Sequence, residues 1–175
     1  ELHVKRRRQR QMCIRDRMGD APWLSAEKRG LTALLLSSHQ RAFQQPLIAA
    51  TRSSQSMRLC CQELFSCGFP VLAHGIGADP VLIYANAAAL QLWGRRWADM
   101  VGMPSRLTAP DEVRSERRQA LKQAQTQDAM RGYGGVRIDH QGRRFMIRNA
   151  RIWTLLDEEN RPIGQAACFH DWWWI

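Results

Sequence analysis

Tyr133-Gly-Gly-Val-Arg-Ile138, Gly142-Arg-Arg-Phe145, Ile152-Trp153, Gly164-Gln-Ala-Ala167 and Asp171-Trp172 follow one another through the C-terminal part of the chain. The stretch reads as three antiparallel strands in a row. Asp139-His-Gln-Gly142 joins the first strand to the second, and Asp157-Glu-Glu-Asn-Arg-Pro162 joins the second to the third. Both connections have the length and residue types of hairpin turns.

Upstream, the pattern changes period. Thr108-Ala-Pro-Asp111 opens a helix with a cap, an early proline and an acidic first turn; Val113, Arg117, Ala120, Leu121 and Ala124 share one side of it. Asn86 is an N-cap for a helix whose Leu90, Trp93 and Trp97 share a face. Two short strands precede it, Val71–His74 and Val81–Tyr84, separated by Gly75, Gly77, Asp79 and Pro80. Before them, Met57, Cys60, Cys61, Leu64 and Phe65 recur at helical spacing. Ala49 to Ser56 reads as a linker. A helix over 25–45, capped by Ser25 and stopped at Pro46, carries Leu31, Leu34, Leu35, Ser38 and Ala42 on one stripe. The order predicts an α+β domain: a five-stranded antiparallel sheet with its helices grouped between strands two and three, plus an N-terminal helix.

With 175 residues, 45% of them apolar, the chain can build one domain with a real core. The formal charge of +10 suggests nucleic acid, but its distribution argues against that. Residues 1–17 hold seven Lys/Arg against Glu1 and Asp16, so half of the net charge sits in that tail. Gln11-Met-Cys-Ile-Arg-Asp-Arg17 looks like the translation of a transposase-end sequencing adapter, and Met18 stands where a start codon would. Residues 1–17 are therefore read as a non-native, disordered tail. The organisation is 18–55, N-terminal helix and linker, then 56–175, the domain. Beyond the tail, Cys60, Cys61, Cys67 and Cys168 form no Cys-x-x-Cys and have no zinc-like His spacing. Their usage fits a cytoplasmic protein, and no apolar run is long enough to span a bilayer.

The motifs together resemble the MEKHLA domain, in its standalone bacterial form. His74-Gly75, Asp79-Pro80, Tyr84-Ala-Asn86, Ala89-Leu-Gln-Leu-Trp93, Pro104-Ser-Arg106, Arg114-x-Glu-Arg117 and the C-terminal block carry the resemblance over roughly residues 57–173. That family is PAS-like, so the resemblance implies a PAS-like sheet and a non-catalytic sensory or protein-interaction module. It supplies no reaction, ligand or partner for the standalone proteins.

Strand alternation places Phe145, Ile147, Asn149, Arg151 and Trp153 on one face, and Ile163, Gln165, Ala167 and Phe169 on another. Asn149 and Gln165 would then be amides among apolar residues, in need of a ligand or of internal partners. His74 is the best placed of a weak set of heme ligands; His39, His140 and His170 read as capping or surface residues. LOV-type flavin chemistry needs a cysteine near the flavin, and residues 86–132 contain none. Arg106, Arg137, Arg143 and Arg144 could hold an anion, or pair with acids such as Asp111, Glu112, Glu116 and Asp139. The Arg114 and Arg118 side chains read as a solvated face.

The candidate pocket is His74, Tyr84, Asn86, Trp93, Arg106, Asn149, Trp153 and Gln165; Trp172, Trp173 and Trp174 are the candidate interface. No catalytic or metal residue is assigned and the cofactor is unknown. The expected partners are a small molecule bound to the inner sheet face and a second copy in a homodimer, with neither membrane nor nucleic acid favoured. The alternatives are a small enzyme or ligand carrier using the same cavity, and a basic nucleic-acid-associated regulator.

Overall fold

A computed structural model describes residues 21–49 and 56–175; the basic tail and the linker at 50–55 lie outside the described residues. Helices α1 (Ala26–Phe43) and α2 (Met57–Ser66) precede β1 (Val71–His74) and β2 (Leu82–Ala85). Helices α3 (Ala87–Trp93), α4 (Trp97–Met100) and α5 (Arg114–Gln127) follow, then β3 (Ala129–Ile138), β4 (Arg144–Leu156), β5 (Pro162–Cys168) and β6 (Asp171–Trp174). The sheet order is β2-β1-β5-β4-β3, all antiparallel, and β6 also pairs with β4. The sixth strand is an addition to the five predicted.

Local chemistry explains the boundaries. Ser25 caps α1 by accepting from the Lys28 N–H at 3.2 Å, and Gln44 ends it in the left-handed region, two residues before Pro46. Asn86 caps α3. The acidic start of α5 is a short 3-10 turn, Asp111–Val113, so the α-helix proper begins later than Thr108. The hairpins on either side of β4 use the same device. Asp139 accepts from the Gln141 and Arg143 N–H groups and from Arg143 Nε; Asp157 does the same with Glu159, Arg161 and Arg161 Nε. Where β1 and β5 meet, a Cβ on Gly164 would fall 2.2 Å from the His74 carbonyl oxygen, so only glycine fits.

Both sheet faces are covered. Leu35, Leu36 and Phe43 of α1 and Leu64 of α2 pack on Val71, Ala73, Tyr84, Trp153, Leu155, Ala166 and Cys168, the outer face. Ala89, Leu92, Trp93 and Met100 pack on Leu82, Ala85, Phe145, Ile147, Ala150 and Phe169, the inner face. The α1 stripe is rotated from its predicted position. His39 and Phe43 are buried instead of Leu34 and Ala42, because their rings meet the edge of Trp153 at 4.9 and 6.1 Å. His39 is thus a core residue, not a surface one. Ser38 accepts the Leu156 N–H at 3.1 Å and ties the helix to β4.

Two opposed bulges decide what faces inward. Gly132 on β3 and Asn149 on β4 have φ of 74° and 55°, and the β3–β4 register slips once on each strand around them. After Asn149 the β4 alternation inverts. Phe145 and Ile147 are followed on the inner face by Ala150 and Ile152, while Trp153 turns outward. The predicted face of Phe145, Ile147, Asn149, Arg151 and Trp153 is therefore split. The same point divides β4 between neighbours: β6 pairs with Phe145–Arg148, and β5 with Arg151–Leu156.

Candidate functional site

The inner face holds a small, partly open cavity of about 50 Å³ between the sheet and helices α3 and α5. Its apolar walls include Leu72, Leu82, Ala150, Ile152 and Phe169. Its polar groups come from every layer: His74 on β1, Gln165 on β5, Tyr133 and Arg137 on β3, Arg117 on α5 and Trp93 on α3. A second cleft of about 330 Å³ lies between α5 and β3 and shares Arg117, Tyr133 and Arg137 with the first. These three residues therefore stand where the two spaces adjoin.

Backbone carbonyls and one hydroxyl hold most of these polar groups. Gln165 Nε2 donates to the Leu121 carbonyl at 2.9 Å, pinning α5 over β5. Trp93 Nε1 donates to the Thr108 carbonyl at 3.4 Å. Arg137 donates to the Val136 carbonyl at 2.8 Å and to the Tyr133 hydroxyl at 3.0 Å. His74 Nδ1 is 2.7 Å from the Gly75 carbonyl oxygen, while Nε2 is buried without a partner. Burial pushes the His74 pKa down, the Gly75 carbonyl opposes this, and the Arg117 charge adds to it. Arg117 is itself lowered to about 10, by burial first and then by the positive charge of Arg137.

Of the eight predicted pocket residues, His74, Trp93 and Gln165 line the cavity. Tyr84 and Trp153 are fully buried on the opposite face, beneath α1 and α2, and burial raises the Tyr84 hydroxyl well above its ordinary value. Asn86 is a structural tie. It accepts from the Val71 and Ala89 N–H groups and donates to the Leu64 and Phe69 carbonyls. Arg106 pairs with Asp79 at 3.1 Å on the surface. Asn149 points away from Gln165 and donates to Asp171 at 2.8 Å, because its bulge turns it outward. The expected anion cluster disperses likewise: Arg143 pairs with Asp139 and Arg144 with Glu112, leaving Arg137 at the cavity. Arg117 and Tyr133 were not in the predicted set. The available signal for Arg117 was a cation on the apolar stripe of α5.

Trp172 and Trp174 lie over Phe145, at 6.1 and 5.5 Å between centroids, and Phe145 in turn meets Trp93 at 5.0 Å. Trp172, Trp173 and Trp174 remain 38%, 43% and 44% exposed, too much for a strand fully locked into the core. Burial pushes the Cys60 and Cys67 thiols up and Cys168 to about 12. Among the described residues, no three His, Cys, Asp or Glu side chains converge on a metal position, and no helix is long and apolar enough to cross a membrane.

A sheet in this order with its helices inserted after the second strand is the PAS fold. The PAS domain of a protein from Colwellia psychrerythraea superposes with a TM-score of 0.59 at 12% identity, covering 66% of this chain and 95% of that one. An RNA-binding light-oxygen-voltage receptor gives 0.57 at 16%, over 65% of this chain and 32% of that one. A light-oxygen-voltage domain studied with a flavin analogue gives 0.53 at 14%, over 70% and 86%. The chain spans about a third of the RNA-binding receptor, and at these identities the likeness is one of fold. The MEKHLA domain model matches residues 29–174, and the chain belongs to that family. The match begins inside α1, ahead of the span carried by the motifs. No curated protein matches the chain.

Flavin does not fit these residues. Ligand pockets commonly measure about 300–1,000 Å³, and the inner cavity is about 50 Å³; separately, residues 86–132 lack the cysteine that LOV-type photochemistry requires. Heme, larger still, meets the same obstacle at His74.

Proposed function

We propose that the chain is a PAS-like sensory module that binds a small molecule in the inner-face cavity and self-associates through β6. The observation that carries the reading is the cavity, which gathers polar groups from five elements and leaves the buried His74 Nε2 without a partner. Burying such a group costs about 1–3 kcal/mol, and unlike Tyr84 and Trp153, which are also unpartnered but lie in the opposite core, His74 stands where polar groups converge on a cavity. The buried, raised thiols support binding over nucleophilic catalysis.

A route from cavity to surface runs through packed rings: Trp93 lines the cavity and touches Phe145, on which Trp172 and Trp174 sit. A ligand that shifts Trp93 alters the support of the exposed β6 aromatics. An exposed aromatic strand edge is suited to a second copy of the chain. Transmission requires that the ligand bind the two arrangements unequally. Sedimentation of the purified chain, with and without Trp173→Ser, tests self-association. A concentration-independent monomer overturns that half of the reading. Native mass spectrometry of the protein as isolated, followed by a screen of small polar compounds, tests the other half.

A further inference from the structure

Among the described residues many arginines have no acid partner, but Arg117 and Arg137 are the two that line the cavity. Arg96, Arg106, Arg114, Arg143, Arg144 and Arg161 each face a carboxylate. Arg117 and Arg137 face none among the described residues. Arg137 is only 6% exposed, and its partners are one carbonyl and the Tyr133 hydroxyl. Arg117 makes no hydrogen bond or ion pair with the described residues, and the two charges repel each other at close quarters. Glu116 lines the adjoining cleft but pairs with neither. Two neighbouring guanidiniums, Arg137 buried and Arg117 half-buried, with no anion between them are unfavourable. Guanidinium forks match a carboxylate or phosphate.

His74 adds a second requirement. A carbonyl oxygen can only accept, so the 2.7 Å contact with Gly75 puts the ring proton on Nδ1 and leaves Nε2 as a buried acceptor. The missing partner is a donor. Between these polar ends the walls are Leu72, Leu82, Ile152 and Phe169, which favour carbon. The inner space of about 50 Å³ admits only a few heavy atoms, since a water needs about 10–15 Å³ on the same measure.

We infer that Arg117 and Arg137 hold the carboxylate of a short-chain hydroxy acid, whose hydroxyl donates to His74 Nε2. The inference rests on the reading of the cavity as a ligand site and names the chemistry of that ligand. Tyr133, bonded to Arg137, fixes the fork from behind. The cleft between α5 and β3 is the way in, because the same three side chains line both spaces.

The test is calorimetric titration of the dialysed full chain, at constant ionic strength, with glycolate, lactate, 3-hydroxybutyrate, butyrate, lactamide and inorganic phosphate. At least one hydroxy acid is expected to bind saturably, and more tightly than lactamide and phosphate. Arg117→Gln and Arg137→Gln are each expected to weaken that hydroxy acid about 10–100-fold, the loss of one charge-assisted hydrogen bond. Arg117→Lys keeps the charge, loses the fork and falls between wild type and Arg117→Gln. Lactamide binding without binding of any acid overturns the anion inference while keeping the cavity reading. Phosphate binding as tightly as the acids overturns the choice of carboxylate. Silence from every compound, with the protein ligand-free by native mass spectrometry, overturns both.

Discussion

The Arg137 guanidinium donates to the Tyr133 hydroxyl at 3.0 Å, and Gly135, between them on β3, leaves the space in which they meet. A Cβ at position 135 would stand 3.1 Å from the Tyr133 oxygen and 3.2 Å from Arg137 Nη1. Tyr133→Phe removes the acceptor and leaves part of a buried charge unsatisfied. Its unfolding free energy in urea should fall by about 1–3 kcal/mol. An unchanged midpoint would mean that the Val136 carbonyl alone satisfies Arg137.

Asn149 holds φ 55° at the β4 bulge and donates to Asp171, where β5 gives way to β6. Asparagine and glycine tolerate this region and a β-branched residue does not. Asn149→Val should cost about 1–3 kcal/mol and Asn149→Gly clearly less. Equal losses in thermal unfolding would show that the amide bond, not the backbone, sets the position.

How much of this was legible follows from the same residue. The strands, the two aspartate hairpins and the helix caps announce themselves, because each is decided within a few neighbouring positions. Gln165 faces the cavity with Ala167 as alternation predicts, whereas Ile163, expected on the same face, packs with the α1 side because the β4–β5 register slips between Leu155 and Leu156. Asn149 and Trp153 are misplaced because one left-handed residue inverts the period, and an asparagine in a strand gives no sign of doing so. Tyr84 and Trp153 show a second limit. When both sheet faces are covered, burial no longer tells one face from the other. Arg117 becomes meaningful only once β3 brings Arg137 beside it.

Asn86 should be among the costliest positions to truncate. Its side chain is fully buried, accepts two backbone N–H groups and donates to two carbonyls, joining α2, β1 and α3. Asn86→Ala removes all four bonds, leaving the Leu64 and Phe69 carbonyls only the weak Cys67 thiol donor, and should lower stability by about 3–5 kcal/mol, at the far end of single substitutions. Asn86→Asp keeps both accepting bonds but points a buried carboxylate at two carbonyls, so it should not rescue. Guanidinium denaturation of the two variants would decide it.

His39 gives the fold a pH dependence of definite sign. Burial lowers its pKa to about 4, against a weaker raising effect of the Gln45 carbonyl, and the charges of Arg151 and Arg131 lower it further. The unfolded chain has an ordinary value of about 6.5. Between these values the unfolded state binds more protons, so stability holds above pH 6.5 and is lost as pH falls toward 4. The slope from this group reaches about 1.4 kcal/mol per pH unit at most. His74 is lowered too and contributes in the same direction. His39→Phe should flatten the melting-temperature profile between pH 6.5 and 4; an unaltered slope would assign the acid sensitivity to other groups.

Arg117 allows stability and binding to be pulled apart. A cation lowered to about 10 by burial and by a like charge destabilises the empty fold. Arg117→Met keeps the length of the side chain and removes the charge. The variant, free of ligand, should be more stable than wild type by about 1–3 kcal/mol, as when buried charges give way to apolar groups. With the tightest-binding hydroxy acid at 100 times the wild-type dissociation constant, wild type should gain about 2.7 kcal/mol and a variant that binds about 10–100-fold more weakly only about 0.4–1.4 kcal/mol. The order of the two melting temperatures should therefore close up or reverse on adding the acid. A residue that only braced α5 against the sheet would give the opposite first result, a variant less stable when empty, and no crossing on titration.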